Sequence, residues 1–334
     1  MSITATGYQA PATERVGLVP SVYDSVVLIG AGETPILSSI GTSPVKGITH
    51  SWITDKLKDP KKNAQLEISD FSGGDASTKQ KTSNSVQIFT NEVQVSKTMT
   101  AVSTYGGKEL EHEVGKKAKE HGLDLEYAMF GLGRDANVKT SVFKAPVDRT
   151  DVVAGEMAGF FYFLAKGDTS FSSNARGNVL AFDTAGDWTD ENPGTNDFTV
   201  LDEDILGQIL QPIWDAGETP KDVYIGADLK RAINKIATRQ FGNEKHVNSS
   251  VVSLDTDFGI VNFRLHRYLS AKYGLGDVLL AGNFEYAKNG LLIPTDLEDV
   301  ITSKTAKSKR YYTECTLEVR NADAFSAGVG LKSA

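Results

Sequence analysis

Between Leu201 and Trp214 apolar residues return every three or four positions, at Leu201, Ile205, Leu206, Ile209, Leu210, Ile213 and Trp214. That spacing lines one face of a helix, and Gly217 stands where the helix should stop. LDED (Leu201–Asp204) ahead of it suits a helix N-terminus electrostatically. KDVYIGA then reads as a buried strand, and DLKRAINKIATRQF as a second helix with Leu229, Ile233 and Ile236 inward. FGIVNFRLHRYL and GDVLLAG read as further core strands. The stretch is an α/β unit with its own core, in which Trp214 is expected to be buried.

The N-terminal half is patterned differently. The first twenty residues are small and polar, like an arm without a core. GITHSWITDKL is strand-like, a long Lys-, Ser- and Gly-rich stretch follows, and SVQIFTNEVQVSKT alternates through Val86, Ile88, Val93 and Val95. Two strands around a polar tip predict an extended hairpin that buries little by itself. Trp52 begins that arm, and an exposed indole there is expected to be covered by a partner. Thr100–Leu132 contains a long helix whose apolar stripe (Leu110, Val114, Ala118, Leu125, Met129, Leu132) is thin. Glu109, Glu113, Lys116 and Lys117 sit at three- and four-residue spacing along it. Such a helix should cross a surface or interface, with His112 and His121 facing solvent. The tail from Gly290 alternates, turns at KTAKSKR (Lys304–Arg310) and alternates again, an antiparallel unit.

Composition removes most catalytic readings. VVLIGAGETP (Val26–Pro35) imitates a dinucleotide turn, with Asp55 at the distance of a ribose-binding acid, but Pro35 occupies the third glycine position. Gly41, Pro44 and Gly47 leave room for one or two helical turns and then an extended segment. No nucleophile elbow, P-loop, zinc or calcium motif occurs, and five scattered histidines offer no metal-ligand spacing. Cofactors and metals are therefore not expected. The single Cys315 reads as a strand cysteine, and the acidic loop Asp183–Asp197 as solvent-exposed. The longest greasy run, Met157–Ala165, is too short for a membrane, no signal peptide is evident, and a soluble cytoplasmic product is expected. Net charge −8 argues against a protein that grips nucleic acid. What remains is a motif-free chain with an arm and an exposed helix, features that become stable when other copies cover them.

The order of ETPILSSIG, HSWITDKL, the polar hairpin, VQIFTNEVQVSKT, a Glu/Lys-rich helix ending LEYAMFGLG, and KSKRYYTECTLEVRNADAFSAGVGL resembles tailed-bacteriophage major capsid proteins. The likeness is to the subgroup with a Thr-Pro and Trp-x-x-Asp signature ahead of the hairpin. It is strongest over 30–132 and 276–331, and 134–200 departs from it as if inserted. The resemblance implies an α+β, Hong Kong 97-type capsid fold: N-terminal arm (1–47), extended β-hairpin loop (48–98), peripheral domain with a spine helix (99–149), axial α/β domain (150–285) and a C-terminal β unit completing the peripheral sheet (286–334). It further implies a structural, non-enzymatic protein that assembles through pentamers and hexamers into an icosahedral virion shell in the host bacterial cytoplasm. Separate scaffold, portal and decoration proteins are compatible partners; packaged DNA lies nearby without specific binding, and no membrane is involved. Expected self-assembly contacts are Trp52, Asp55, Lys58, Lys61, Lys62, Lys79, Lys81, Glu109, Glu113 and Lys117. Some relatives weld subunits by a lysine–asparagine isopeptide; Lys61, Lys62, Lys79 and Lys81 with Asn289 or Asn321 are conceivable, but no local feature singles out a pair and no covalent bond is expected. Two alternatives carry the same features: an encapsulin-like nanocompartment shell, and a cytosolic α/β enzyme without a recognisable motif.

Overall fold

The computed structural model describes residues 33–64, 67, 78–102, 108–167, 175–182, 198–240 and 252–333. The glycine turn at 26–32 and the acidic loop at 183–197 lie outside them. The chain opens with helix α1 (Pro35–Ser39) and strands β1 (Gly41–Pro44), β2 (Thr49–Thr54), β3 (Gln80–Ser85) and β4 (Gln87–Ser96). Helices α2 (Lys97–Ala101), α3 (Glu109–Met129), α4 (Val138–Phe143) and α5 (Phe160–Leu164) follow. Next come β5 (Ala175–Arg176), β6 (Val179–Ala181), β7 (Thr199–Val200), α6 (Glu203–Asp215), β8 (Asp222–Ile225) and α7 (Ala227–Gln240). The chain ends with β9 (Ser253–Thr256), β10 (Gly259–Leu265), β11 (Leu279–Gly282), β12 (Ala287–Val300), β13 (Ala306–Val319), β14 (Phe325–Val329) and β15 (Leu331–Lys332).

Two sheets organise the molecule. The first has the order β1-β12-β13-β4, the second β5-β6-β14-β11-β8-β10-β9. In the second, the central strands β14, β11 and β8 are buried on both faces, which is why KDVYIGA is a continuous apolar run, while the edge strands β10 and β9 alternate. Val223 and Ile225 of β8 join Leu279 and Ala281 of β11 beneath α6 and α7, while Tyr224 and Leu280 point into the other core. Helix α6 buries Ile205, Leu206, Ile209, Leu210 and Ile213 and starts at Asp202, whose side chain accepts from the Ile205 N–H. It stops where Gly217 takes φ +87°, a conformation other residues resist. Helix α7 buries Leu229, Ile233 and Ile236 as expected. Trp214 does not follow: 52% exposed, it leans on Phe258 at the end of the domain. Trp214 is the last apolar member of the stripe, one residue before the helix ends at Asp215, and the helix's buried residues stop at Ile213.

The larger core lies between the sheets. The stretch 134–200, read as an insertion, supplies its centre: Val142, Phe143, Met157, Phe160, Phe161, Phe163 and Leu164 are all buried there. Close backbone contact is needed at this point, because a Cβ on Gly159 would lie 2.3 Å from the Gly131 nitrogen. Helix α3 is only half the surface helix expected. Leu125, Ala128 and Met129 and the following Phe130 and Leu132 enter the core, while the N-terminal half stays partly exposed.

Strand pairing crosses the expected segment bounds. β4, assigned to the extended loop, pairs with β13 from Cys315↔Gln87 to Ala306↔Ser96. β1, assigned to the arm, pairs in parallel with β12. The C-terminal segment divides: β12 and β13 build the four-stranded sheet, but β14 enters the seven-stranded one between β6 and β11. No helix among the described residues is long and apolar enough to cross a membrane.

Candidate assembly surface

The hairpin arm is real, but its return strand is not the alternating one. β2 pairs with the polar β3, Thr49↔Ser85 through Thr54↔Gln80. β4 alternates because one face meets α3 and the core, which is why it belongs to a sheet and not to the arm. The base of the arm is anchored by Asn84, fully buried, whose amide donates to the carbonyls of Leu317 (2.8 Å) and Ala158 (3.2 Å) and whose oxygen accepts from the Ala158 N–H (2.8 Å). Ser85 donates to Asp148, and Thr316 donates to the Ser85 carbonyl.

Trp52 contradicts its expected exposure. It is 8% exposed and packs between His50 and Phe163 of its own chain. Beyond it the arm opens: Ile53 and Leu57 are 67% and 95% exposed, and Asp55, Lys58, Lys61, Lys62, Lys79 and Lys81 are all at the surface. Across 49–64 and 78–85 the arm carries six lysines against two aspartates, on a chain of net charge −8. Glu109, Glu113 and Lys117 are on a different element, the half-exposed side of α3. There Lys116, not Lys117, approaches Glu113 (3.7 Å), and Lys117 pairs with Glu120, whose hydrogen bond holds the lysine above its ordinary pKa.

Three buried polar clusters escaped the sequence reading. Glu126 of α3 is fully buried; its two oxygens accept from the Ile36 and Leu37 N–H groups, 3.0 Å each. It also receives the His266 ring at 2.6 Å, and His266 Nδ1 accepts from the Tyr268 N–H, so Nε2 carries the proton toward Glu126. Thr34 makes no side-chain cap, and Glu126 takes that role for α1. His121, expected in solvent, is 2% exposed: Nδ1 lies 2.6 Å from Asn91 Oδ1 and Nε2 2.7 Å from Thr313 Oγ1. Burial lowers its pKa, with Asp124 opposing. Glu318, also buried, would be raised by desolvation, but bonds from Arg320 and Ser43 outweigh it and hold the carboxyl below its usual range. A Glu on a helix otherwise lined by solvent-facing Glu and Lys gives no local hint of burial. Cys315 is buried and its thiol is pushed up to about 12 by desolvation, which removes it as a nucleophile. Among the described residues no group of three or more His, Cys, Asp or Glu side chains could hold a metal.

An arm rooted in its own subunit, a long helix laid on a four-stranded sheet and a seven-stranded sheet with a buried centre define a Hong Kong 97-type shell-protein fold. The family model described as SU10 major capsid protein matches residues 2–332, and the chain belongs to that family. It is 29% identical over 148 residues to the major capsid protein of Escherichia phage Phieco32; this alignment spans 42% of each chain, under half the length of that relative. Among solved structures it is similar to the capsid of Myoviridae phage XM1 (TM-score 0.61, 12% identity, 95% of this chain and 100% of that one). It is also similar to a structure from Mycobacterium phage Cain (0.60, 12%, 97% and 98%) and to the holo-SrpI encapsulin complex of Synechococcus elongatus (0.50, 10%, 92% and 93%). At these identities the likeness establishes the fold alone.

Proposed function

We propose that this chain is the structural, non-enzymatic major capsid subunit of a tailed phage, joining with other copies into pentamers and hexamers of an icosahedral virion shell. In this reading the β2–β3 arm and its tip reach over a neighbouring copy. The four-stranded sheet with α3 forms the peripheral domain, and the seven-stranded sheet with α6 and α7 forms the axial one. The observation that carries it is the arm itself. Its root is packed on the body, yet its outer face presents Ile53, Leu57 and an excess of lysines with little of its own chain to bury them. A second copy of an acidic chain offers both the apolar cover and the opposite charge.

Sizing and electron microscopy of the purified protein test this reading: shells or capsomers are expected, and a small discrete oligomer at high concentration sinks it. Replacing Lys58, Lys61, Lys62 and Lys81 together by Glu should leave the melting temperature within a few degrees while abolishing particles. Protease cleavage within 56–84 should be fast in the isolated subunit and slow in particles. The encapsulin-like alternative shares the fold, and particles that enclose a protein cargo and no DNA would favour it.

A further inference from the structure

One face of β2 is turned toward the body of the subunit. His50 Nε2 lies 3.3 Å from Glu318 Oε2, the Trp52 ring packs tilted against Phe163 at 5.5 Å, and just past the strand Lys56 Nζ lies 3.4 Å from Asp323 Oδ2. Each of the two carboxylates has a nearer partner in the body. Glu318 accepts from Arg320 Nε at 2.8 Å and the Ser43 hydroxyl at 2.6 Å, and Asp323 holds Lys166 Nζ at 2.9 Å. The arm's nitrogen is the more distant member in both cases.

We propose that this face is a release-ready latch, in which Glu318, Asp323 and Trp52 hold the arm against its own subunit and let it lift as a unit about the Asn84–Ser85 anchor. The proposal rests on the reading that the arm crosses to a second copy. An ion pair resists opening mainly because it strands a partly buried charge. Here nothing is stranded, since Arg320, Ser43 and Lys166 stay on their carboxylates when His50 and Lys56 leave. Trp52 contributes from the other side: its buried indole N–H has no hydrogen-bond partner among the described residues, so the docked position carries an unmade bond that water supplies when the arm lifts. The pivot remains because Asn84 is tied to Ala158 and Leu317. Lifting needs no rupture of β2 from β3, whose register is continuous.

Spin labels at Leu57→Cys and Val152→Cys, both over nine-tenths exposed, report the arm-to-body distance in the isolated subunit, where Cys315 is buried and unreactive. Lys56→Glu, at a position exposed enough to fold normally, should raise the population of a longer distance by about fivefold. Moderate salt should do the same to the wild-type chain and little to the variant. Lys62→Glu, with equal charge but off the latch, should leave the distribution unchanged. Identical distributions for Lys56→Glu and wild type overturn the latch, as does an equal response to Lys62→Glu. Because the measurement is made below the assembly concentration, a failure of the shell reading appears separately, as absence of particles in sizing.

Discussion

Glu126 has no route to water, and its carboxylate is committed on three sides: to two amides of α1 and to His266. Removing it leaves the buried Ile36 N–H and His266 ring, and the part-buried Leu37 N–H, without that partner, the buried ones costing about 1–3 kcal/mol each. Glu126→Ala should therefore lower subunit stability by about 3 kcal/mol or more, read as a shift in denaturant midpoint with an unchanged slope. The two tryptophans make a complementary pair. Trp52→Ala empties a packed site against Phe163 and should cost about 3 kcal/mol, whereas Trp214→Ala, at a half-exposed position, should cost less than about 1 kcal/mol. That ranking reverses the one suggested by sequence position, and equal melting temperatures for the two variants would refute it.

At the scale of elements, α3 is fastened to its sheet by His121 between Asn91 of β4 and Thr313 of β13. Burial lowers the folded pKa below the ordinary 6.5, so the unfolded chain takes up the proton first as pH falls. Its contribution is complete above 6.5 and is lost progressively below it. The carboxylates held low by their partners, Glu314, Glu318 and Asp323, add their loss only beneath their ordinary values of 4.5, 4.5 and 3.8. Thermal melting between pH 6.5 and 4.5 should thus fall in the wild type and flatten in His121→Gln; an unchanged slope would show that the joint does not titrate there. Elements whose patterns answer to one neighbour were legible in the sequence. α6 and α7 bury a single stripe, β8 is sandwiched, and β12–β13 is a local hairpin. Legibility failed where the partner is remote or the pairing is main-chain only. β3 (QKTSNS) has no apolar signal because β2 supplies its main-chain hydrogen bonds, solvent surrounds most of Gln80–Ser83, and the buried Asn84 and Ser85 are satisfied by polar contacts. The sheet membership of β4 depends on β13, more than two hundred residues away. The excess of lysine on the arm was legible as composition, but the docking of Trp52 was not, since Phe163 is distant in sequence.

For the whole molecule, the net charge of −8 bears on the genome a shell would enclose. Tight binding to duplex DNA requires many Lys or Arg contacts that release counterions, and this chain lacks the surplus. Subunits or capsomers should show no measurable duplex binding at about 150 mM salt, and a sub-micromolar Kd in a salt-titrated mobility assay would contradict this. Another consequence follows from where the last strands go. β13 is an interior strand of the four-stranded sheet and β14 an interior strand of the seven-stranded one. Both come from the final thirty or so residues, while β1 must wait for β12. At roughly 5–20 residues per second, synthesis takes roughly 15–70 s, and throughout it neither sheet can close. A chain still on the ribosome has no finished surface to offer another copy, so growth of a shell would draw only on completed subunits, and premature stops before Phe325 would yield material that is cleared and not built in.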